Sequence, residues 1–229
     1  MAELVTMDLG RIAYAEALEL QLRLVERLIA LGTEHEYLLL LEHDPPVITL
    51  GRGADEGNLL ASPQQLSAKG IEVHHASRGG DVTYHGPGQL VAYPIMRLDR
   101  RGRDVHKYLR DLEETVIRLL GPLGVEPRRE KGLTGVWVRD EKIAAIGVAV
   151  RRWVSYHGVA LNVSPDLSHF DLIVPCGLAE RRVTSLAEIL GPGHRTAELK
   201  PVMVECFCEV FGFSDVSEGS THRRISGID

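Results

Sequence analysis

The clearest candidates for chemistry in this sequence lie at residues 78–89, which read Arg-Gly-Gly-Asp-Val-Thr-Tyr-His-Gly-Pro-Gly-Gln. Four glycines and one proline in twelve residues disfavour a helix interior or a core strand, so the stretch predicts a shaped loop between two strands. Such a loop presents backbone N–H groups to a ligand. Glycine and proline clusters also mark simple turns, but a simple turn needs none of the charged and polar side chains found here. The stretch is therefore a candidate ligand-binding loop.

A second candidate is Cys176, which stands between a proline and a glycine in Ile-Val-Pro-Cys-Gly-Leu. Its neighbours do not suit a packed helix or strand, so the thiol is either an inert turn residue or a nucleophile, and the pattern leaves both readings open. Cys206 shares an apolar helical face with Met203 and Phe207, in a helix predicted to begin at Pro201, and is assigned to the core. Cys208 carries no signal.

Lys142 follows Asp140 and Glu141 at the start of a predicted strand. Charged residues at such a position are typical of an exposed turn. The pattern alone therefore indicates a solvated lysine.

The elements that must position these residues follow from hydrophobic periodicity. One amphipathic helix is predicted over residues 11–31, and a second follows Asp104 as its N-cap and ends at Gly121. The face assigned to the first helix contains Tyr14, Leu18, Leu22, Val25, Leu28 and Ile29. Strands are predicted at residues 37–41, 47–50, 71–73 and 90–93, and an antiparallel meander at 136–163.

Composition limits the class of protein. The 229 residues, 44% hydrophobic and 25% charged, predict one globular domain over residues 1–213 and a flexible tail over 214–229. A net charge of −6 argues against a nucleic-acid partner. No apolar run reaches membrane-spanning length and no secretory signal begins the chain, so we expect a cytoplasmic protein without a membrane partner. Three cysteines give neither a disulfide framework nor metal-ligand spacing, and we expect no metal or cofactor.

Four segments in order resemble the octanoyl-acyl-carrier-protein:protein octanoyltransferases, the lipoyl(octanoyl) transferases of lipoate biosynthesis. They are residues 78–89, Lys-Ile-Ala-Ala-Ile-Gly at 142–147, Tyr-His-Gly-Val-Ala-Leu-Asn at 156–162, and Ile-Val-Pro-Cys-Gly at 173–177. The resemblance covers most of residues 5–213. It implies an α+β fold similar to the catalytic domain of biotin and lipoate protein ligases, with a mixed β-sheet, packed helices and a smaller second sheet.

The resemblance also implies roles for individual residues. Cys176 matches the nucleophile that forms an acyl thioester, and Lys142 matches the lysine that favours ionisation of that thiol. The matching substrate-binding residues are Arg78, Gly79, Gly80, Asp81, Val82, Thr83, Tyr84, His85, Ala145, Ile146, Gly147, Gly158, Val159 and Ala160. Thioester-to-amine transfer suits this pair, because a lysine that has given up a proton then serves as a base toward the incoming amine.

The implied donor is octanoyl-acyl carrier protein. The implied acceptors are the lipoyl domains of 2-oxoacid dehydrogenase E2 subunits and the glycine cleavage H protein, and we expect a monomer. Two alternatives stay open on the sequence: an ATP-dependent lipoate or biotin ligase on the same fold, and a non-catalytic module that binds carrier domains. The sequence cannot bring Lys142 and Cys176 together, since 34 positions separate them.

Overall fold

The computed structural model describes residues 3–32, 35–175 and 182–219. The strands are β1 (Glu3–Ile12), β2 (His35–His43), β3 (Val47–Leu50), β4 (Glu72–His75), β5 (Val82–His85), β6 (Gln89–Ile95), β7 (Pro127–Arg128), β8 (Val136–Val138), β9 (Glu141–Arg151), β10 (Val154–Asn162) and β11 (Val216–Glu218). The α-helices are α1 (Tyr14–Leu31), α2 (Pro63–Ala68), α3 (Val105–Leu120), α4 (Leu186–Leu190) and α5 (Thr196–Phe211). Short 3-10 helices cover Glu56–Asn58, Leu98–Arg101, Gly121–Leu123 and Leu167–Leu172.

The strands form two sheets. The larger sheet has the order β11-β1-β2-β6-β10-β9-β8-β7 and the smaller one the order β4-β3-β5. In the larger sheet β1 runs parallel to β11 and β2, and the other neighbouring pairs are antiparallel. The predicted α+β class, with a mixed sheet, packed helices and a smaller second sheet, is confirmed.

Helices cover both faces of the larger sheet. Leu39 and Leu41 of β2 join the cluster under α1, whereas Leu38 and Leu40 join the cluster under α3 and α5. A strand that is buried on both faces has no polar alternation, which explains the continuous apolar run in β2. No helix within the described ranges is long and apolar enough to cross a membrane.

The stretch 78–89 is not one loop, contrary to its prediction. Residues 82–85 form the strand β5, buried along its whole length and paired with β3. Val82, Thr83 and Tyr84 are β-branched or aromatic, and such side chains favour a pleated strand. The glycines lie on either side of this strand, so the loop is confined to residues 78–81 and the turn to residues 86–88.

Two predicted helix starts are also wrong. The first helix begins at Tyr14 rather than at residue 11, because Arg11 and Ile12 belong to β1, a strand that the sequence patterns did not indicate. Its buried face is rotated toward Ala17, Leu20 and Leu24, and Leu18 and Leu22 are only half-buried.

The last helix contains Pro201 in its interior, because α5 begins five residues earlier at Thr196. Its buried side includes Leu199, Met203, Cys206 and Phe207, so the assignment of Cys206 to the core is confirmed. The Asp104 cap of α3 is likewise confirmed, since its carboxylate accepts a hydrogen bond from Lys107 N at 2.9 Å.

The predicted tail begins with ordered structure. Val216–Glu218 form β11, which pairs in parallel with β1, and Gly219 N donates to Thr6 O at 2.8 Å. The folded part of the chain therefore extends past residue 213. Residues 220–229 lie outside the described ranges.

A candidate active-site slot

A cavity of about 220 Å³ lies among residues contributed by both sheets, and we call it the slot. Thirteen of the sixteen predicted site residues line it: Arg78, Gly79, Gly80, Asp81, Thr83, His85, Lys142, Ala145, Ile146, Gly147, Gly158, Val159 and Ala160. Segments far apart in the chain therefore meet at one place. Val82 and Tyr84 do not line the slot, and Cys176 lies outside the described residues.

The alternation of β5 explains why Val82 and Tyr84 differ from their neighbours. Successive side chains of a strand point to opposite faces. Thr83 and His85 line the slot, whereas Val82 and Tyr84 belong to the small sheet's own core cluster. These two residues hold the strand rather than the ligand.

The loop at residues 78–81 is fixed by its first and last side chains. The Arg78 guanidinium is buried and donates from Nη2 to both Thr49 O and Thr49 Oγ1 at 2.8 Å. The Asp81 carboxylate accepts from Asn58 Nδ2 at 2.6 Å and from Asp55 N at 3.1 Å. Asp81 therefore organises the neighbouring turn, and Arg78 joins the loop to β3.

Gly147 of β9 and Gly158 of β10 are small for two different reasons. A Cβ added at Gly147 would lie 3.1 Å from Arg78 Cδ and 3.2 Å from Gly79 O, so Gly147 leaves room for the loop. A Cβ added at Gly158 would lie 2.3 Å from Ala92 O, so Gly158 is small because β6 passes close by. Both glycines line the slot, but the close approach of β6 dictates the size of Gly158.

Lys142 is only 7% exposed, so the indication of a solvated turn lysine is wrong. Its backbone N–H donates to Arg182 O at 2.9 Å, and its carbonyl accepts from Thr184 N at 3.0 Å. Its Nζ lies 4.9 Å from the centroid of the fully buried Trp137 ring, a cation–π geometry. Backbone and side chain of Lys142 are thus both held in place.

Behind Lys142, a buried carboxylate fixes the adjoining backbone. The Glu113 side chain has no exposed surface and accepts from Arg110 Nη1 at 2.6 Å, Arg129 Nε at 3.1 Å and Gly135 N at 3.1 Å. Gly135 has a φ of +127°, and a Cβ there would lie 3.3 Å from Lys142 Cε. Glu113 therefore secures the glycine against which the lysine methylenes pack.

A hydrogen-bonded chain of side chains lies beside the lysine. His85 Nδ1 is 3.1 Å from Gln89 Oε1, and Gln89 Nε2 donates to Asn162 Oδ1 at 2.9 Å. Because the amide oxygen of Gln89 only accepts, His85 Nδ1 carries the proton and Nε2 is the unprotonated nitrogen. Burial holds the pKa of His85 well below its usual range, with the neighbouring His43 lowering it further. The imidazole is therefore neutral.

The chain on either side of Cys176 is described and lies next to Lys142. Pro175 lines a small cavity that Lys142, Thr83 and Gln89 also line. Arg182 accepts the hydrogen bond from Lys142 N. Both described residues that flank the segment 176–181, Pro175 and Arg182, therefore adjoin Lys142.

The part of the slot near Arg78 is lined by further polar side chains. Tyr93 Oη is 2.7 Å from His43 Nε2, and His157 Nε2 is 3.2 Å from Ser77 Oγ. Burial lowers the pKa of His43 to about 4 and that of His157 to about 3, so both are neutral at physiological pH. His157 has a φ of +58°, and Gln21 Oε1 accepts its backbone N–H at 2.7 Å.

Sequence reasoning missed seven residues of the slot lining: Tyr14, Thr49, Tyr93, Gly132, Leu133, Thr134 and His157. His157 falls within a quoted motif and was within reach of the sequence. Tyr14 resembles any apolar helix-face residue, and Thr49 and Tyr93 lie in strands with ordinary patterns. Their place in the site follows only from the pairing of the strands.

Comparisons with known proteins agree with this geometry. A family model described as the lipoyl protein ligase A/B catalytic domain matches residues 13–208. The octanoyltransferase of Chloroflexus aggregans is 49% identical over 220 residues, which cover 95% of this chain and 99% of that protein.

Two solved structures share the fold. The bipartite lipoate protein ligase of Thermoplasma acidophilum, described with its E2 lipoyl domain, is 16% identical, with a TM-score of 0.70 over 96% of this chain and 88% of that one. The biotin protein ligase of Aquifex aeolicus is 13% identical, with a TM-score of 0.51 over 93% and 70%. The expected likeness to biotin and lipoate ligase domains is confirmed. The chain belongs to the lipoyl protein ligase A/B catalytic-domain family.

Proposed function

We propose that this protein is an octanoyltransferase that moves an octanoyl group from acyl carrier protein to a lysine of lipoyl domains through a thioester on Cys176. The named relative supports octanoyl transfer, since its identity of 49% extends over nearly the whole of both chains. The solved ligase described with its E2 lipoyl domain supports an acceptor of that kind. The acceptors are the lipoyl domains of 2-oxoacid dehydrogenase E2 subunits and the glycine cleavage H protein.

The observation that carries the proposed mechanism is the position of Pro175 and Arg182 beside Lys142. Cys176 follows Pro175 directly in the sequence, and Pro175 lines the same small cavity as Lys142. A reactive cysteine needs a nearby cation or base, because an ordinary thiol is only a few per cent ionised at neutral pH. Lys142 is the residue that supplies this group.

In the first half-reaction the Cys176 thiolate attacks the carbonyl carbon of the octanoyl thioester. The bond to the carrier's sulfur breaks, and that sulfur takes a proton from the Lys142 ammonium. The products are the carrier thiol, octanoyl-Cys176 and neutral Lys142. In the second half-reaction the amine of the acceptor lysine attacks, Lys142 removes its proton, and the amide forms as the Cys176 thiolate leaves.

The slot suits the acyl group that this reaction would carry. From Lys142 it follows β9 and β10, past Ala145, Gly147 and Ala160. The small side chains of Ala145 and Ala160 leave space for a thin alkyl chain within the cavity of about 220 Å³. The acyl carbonyl would then lie near the lysine and the chain would extend toward Arg78.

The test is to incubate the protein with octanoyl-acyl carrier protein and no acceptor. We expect one octanoyl group per chain, located on Cys176 by peptide mapping and removed by hydroxylamine. Subsequent addition of a lipoyl domain without ATP should transfer the group to its lysine. Cys176→Ser should abolish adduct formation.

Cys206→Ala and Cys208→Ala are the matched controls. Burial raises the pKa of both thiols, so neither is expected to react, and each variant should be acylated like the wild type. An adduct on either of these cysteines would overturn the mechanism. A requirement for ATP would instead favour the ligase alternative.

A further inference from the structure

Two cavities meet beside Lys142. The slot and the small cavity that Pro175 lines have three lining residues in common, Thr83, Lys142 and Ala145, which we call the junction. In the proposed reaction the acyl chain lies in the slot, and the nucleophile follows Pro175 in the sequence. The carbonyl carbon that is attacked therefore belongs at the junction, because that is where the two cavities share their walls.

Thr83 brings a hydroxyl group to the junction. Its backbone is fixed by the pairing of β5 with β3, in which it lies opposite Thr49. Within the described ranges its hydroxyl has no hydrogen-bond partner, whereas the Thr49 hydroxyl accepts from Arg78 at 2.8 Å and 3.3 Å. The Thr83 hydroxyl keeps accessible surface, unlike that of Tyr14, so a molecule in the slot can reach it. A largely buried hydroxyl needs a partner, and a substrate oxygen at the junction can be that partner.

The other polar groups nearby have different tasks. Ala145 has no polar side-chain atom, and Lys142 changes its protonation state during the proposed reaction. Gln89 and Asn162 line the small cavity, but Gln89 Nε2 donates to Asn162 Oδ1 at 2.9 Å, and Asn162 Nδ2 donates to Thr184 O at 2.9 Å. Of the junction residues, Thr83 is therefore the one that can donate to a substrate oxygen throughout the reaction.

We propose that the Thr83 hydroxyl donates a hydrogen bond to the carbonyl oxygen of the acyl thioester and stabilises the oxyanion that forms there. Hydrogen-bond donors aimed at a developing oxyanion lower the barrier to acyl transfer. The inference rests on the proposed function, because it assumes that the acyl group reacts at Cys176.

The hydroxyl keeps its own proton in both half-reactions. When the Cys176 thiolate adds to the carbonyl carbon, an electron pair of the C=O bond moves to the oxygen, which accepts the hydrogen bond from Thr83. The carbonyl re-forms as the bond to the carrier's sulfur breaks, and that sulfur takes its proton from Lys142. In the second half-reaction the acceptor amine adds to the same carbonyl, Lys142 removes the proton of the amine, and the Cys176 thiolate leaves.

The test measures single-turnover acylation of Cys176 by octanoyl-acyl carrier protein without an acceptor. Valine keeps the branched shape and strand preference of threonine but cannot donate, so Thr83→Val should lower the rate about 100-fold. The donor concentration that gives half the maximal rate should stay the same, because the lost interaction is made in the transition state. Serine keeps the hydroxyl, so Thr83→Ser should retain most of the wild-type rate.

Thr115→Val is the matched control. Thr115 is 1% exposed in α3, its hydroxyl donates to Asp111 O at 3.0 Å, and it lines neither cavity. Its variant should be acylated like the wild type. Thr83→Ala also lacks the hydroxyl and should be as slow as Thr83→Val, and urea unfolding of each variant shows that it is folded. Wild-type rates in folded Thr83→Val and Thr83→Ala would overturn the inference.

A vibrational measurement detects the hydrogen bond itself. A donor labelled with carbon-13 at the carbonyl gives an acyl-enzyme whose C=O stretch is resolved by isotope-edited infrared spectroscopy. A hydrogen bond weakens the C=O bond, so the stretch should lie at lower frequency in the wild type and Thr83→Ser than in Thr83→Val. A slow Thr83→Val with an unchanged stretch would also overturn the inference, because Thr83 would then act on the fold and not on the carbonyl.

The same experiments separate the inference from the proposed function. If the wild type forms the thioester and Thr83→Val matches it in rate and in stretch, the Thr83 contact is wrong and the proposed function stands. If the wild type forms no thioester on Cys176, the proposed function is wrong and the inference is wrong with it.

Discussion

The two ends of the slot are built differently. At one end the charged group, Lys142, is held by backbone hydrogen bonds on both sides and packs against the Trp137 ring and Gly135. At the other end, Tyr93 and His157 are held by side-chain partners and carry no charge. A group that must transfer protons needs a fixed position, whereas groups that contact the end of a chain need only shape and the right donors. The difference fits the proposed reaction, in which Lys142 transfers protons and the end near Tyr93 contacts the acyl chain.

Charge balance follows the same division. Near Lys142, the Glu113 carboxylate lies between the guanidinium groups of Arg110 and Arg129. Around Tyr93 the neighbouring histidines are neutral because burial lowers their pKa values. The Arg78 guanidinium joins the loop at residues 78–81 to β3 there.

The largest effect is expected from removing Lys142, the residue at the end of the slot where the chemistry is proposed to occur. Lys142→Ala removes the proton donor and base and should lower the single-turnover rate of Cys176 acylation by at least about 100-fold. Rapid quenching followed by intact-mass analysis gives the rates.

Lys107→Ala serves as the control, because Lys107 is exposed on α3 and pairs with Asp111 at 2.6 Å. It should acylate like the wild type. If Lys142→Ala were acylated at a rate near that of the wild type, Lys142 would have no part in the chemistry and the two ends of the slot would not differ in function.

A smaller effect is expected from removing Glu113, which fixes the backbone of Gly135 beside Lys142. Glu113→Ala leaves Gly135 N and two arginines without their shared acceptor and should lower the free energy of unfolding by about 2–3 kcal/mol. Glu113→Gln keeps an oxygen that accepts from Gly135 N–H. Its acylation rate should therefore be closer to the wild-type value than its free energy of unfolding is. Urea unfolding and acylation rates measure the two quantities.

The neighbouring carboxylate offers a matched control for this experiment. Glu114 also pairs with Arg129, at 2.7 Å, but it is partly exposed. Glu114→Ala should therefore cost less than about 1 kcal/mol. Equal losses in Glu113→Ala and Glu114→Ala would show that burial of the carboxylate does not matter for this end of the slot.

Whether the sequence predicts a structural feature depends on how far apart in the chain the contacting residues lie. Local patterns indicated β2, β3, the meander of β9 and β10 and the Asp104 cap, because these depend on neighbouring residues. The resemblance identified Lys142 and the residues of the loop at 78–81. Glu113 remained hidden because an acidic residue in an amphipathic helix looks like solvated surface, and its partner Gly135 is 22 positions away.

The same reasoning explains the misjudged residues at the slot. Lys142 has the pattern of an exposed turn, and only the chain at residues 182–184, which returns alongside it, buries its backbone. Gly158 is small because of β6, which is more than sixty positions away in the sequence. Tyr14 shows ordinary helical periodicity, and the absence of a hydroxyl partner among the described residues is visible only after folding.

The last effect concerns the end of the slot away from Lys142 and depends on pH. Folding lowers the pKa of His157 from 6.5 to about 3, so between these values the unfolded chain binds a proton that the folded chain does not. Stability should therefore fall as the pH decreases through this window, by up to about 1.4 kcal/mol per pH unit for this residue. His157→Asn, whose side chain tolerates the left-handed φ, should reduce the slope by that amount in urea unfolding between pH 6 and pH 4. Ser77→Ala removes the partner but keeps the imidazole and should retain the wild-type slope. Equal slopes in His157→Asn and the wild type would mean that this end of the slot does not hold a neutral histidine.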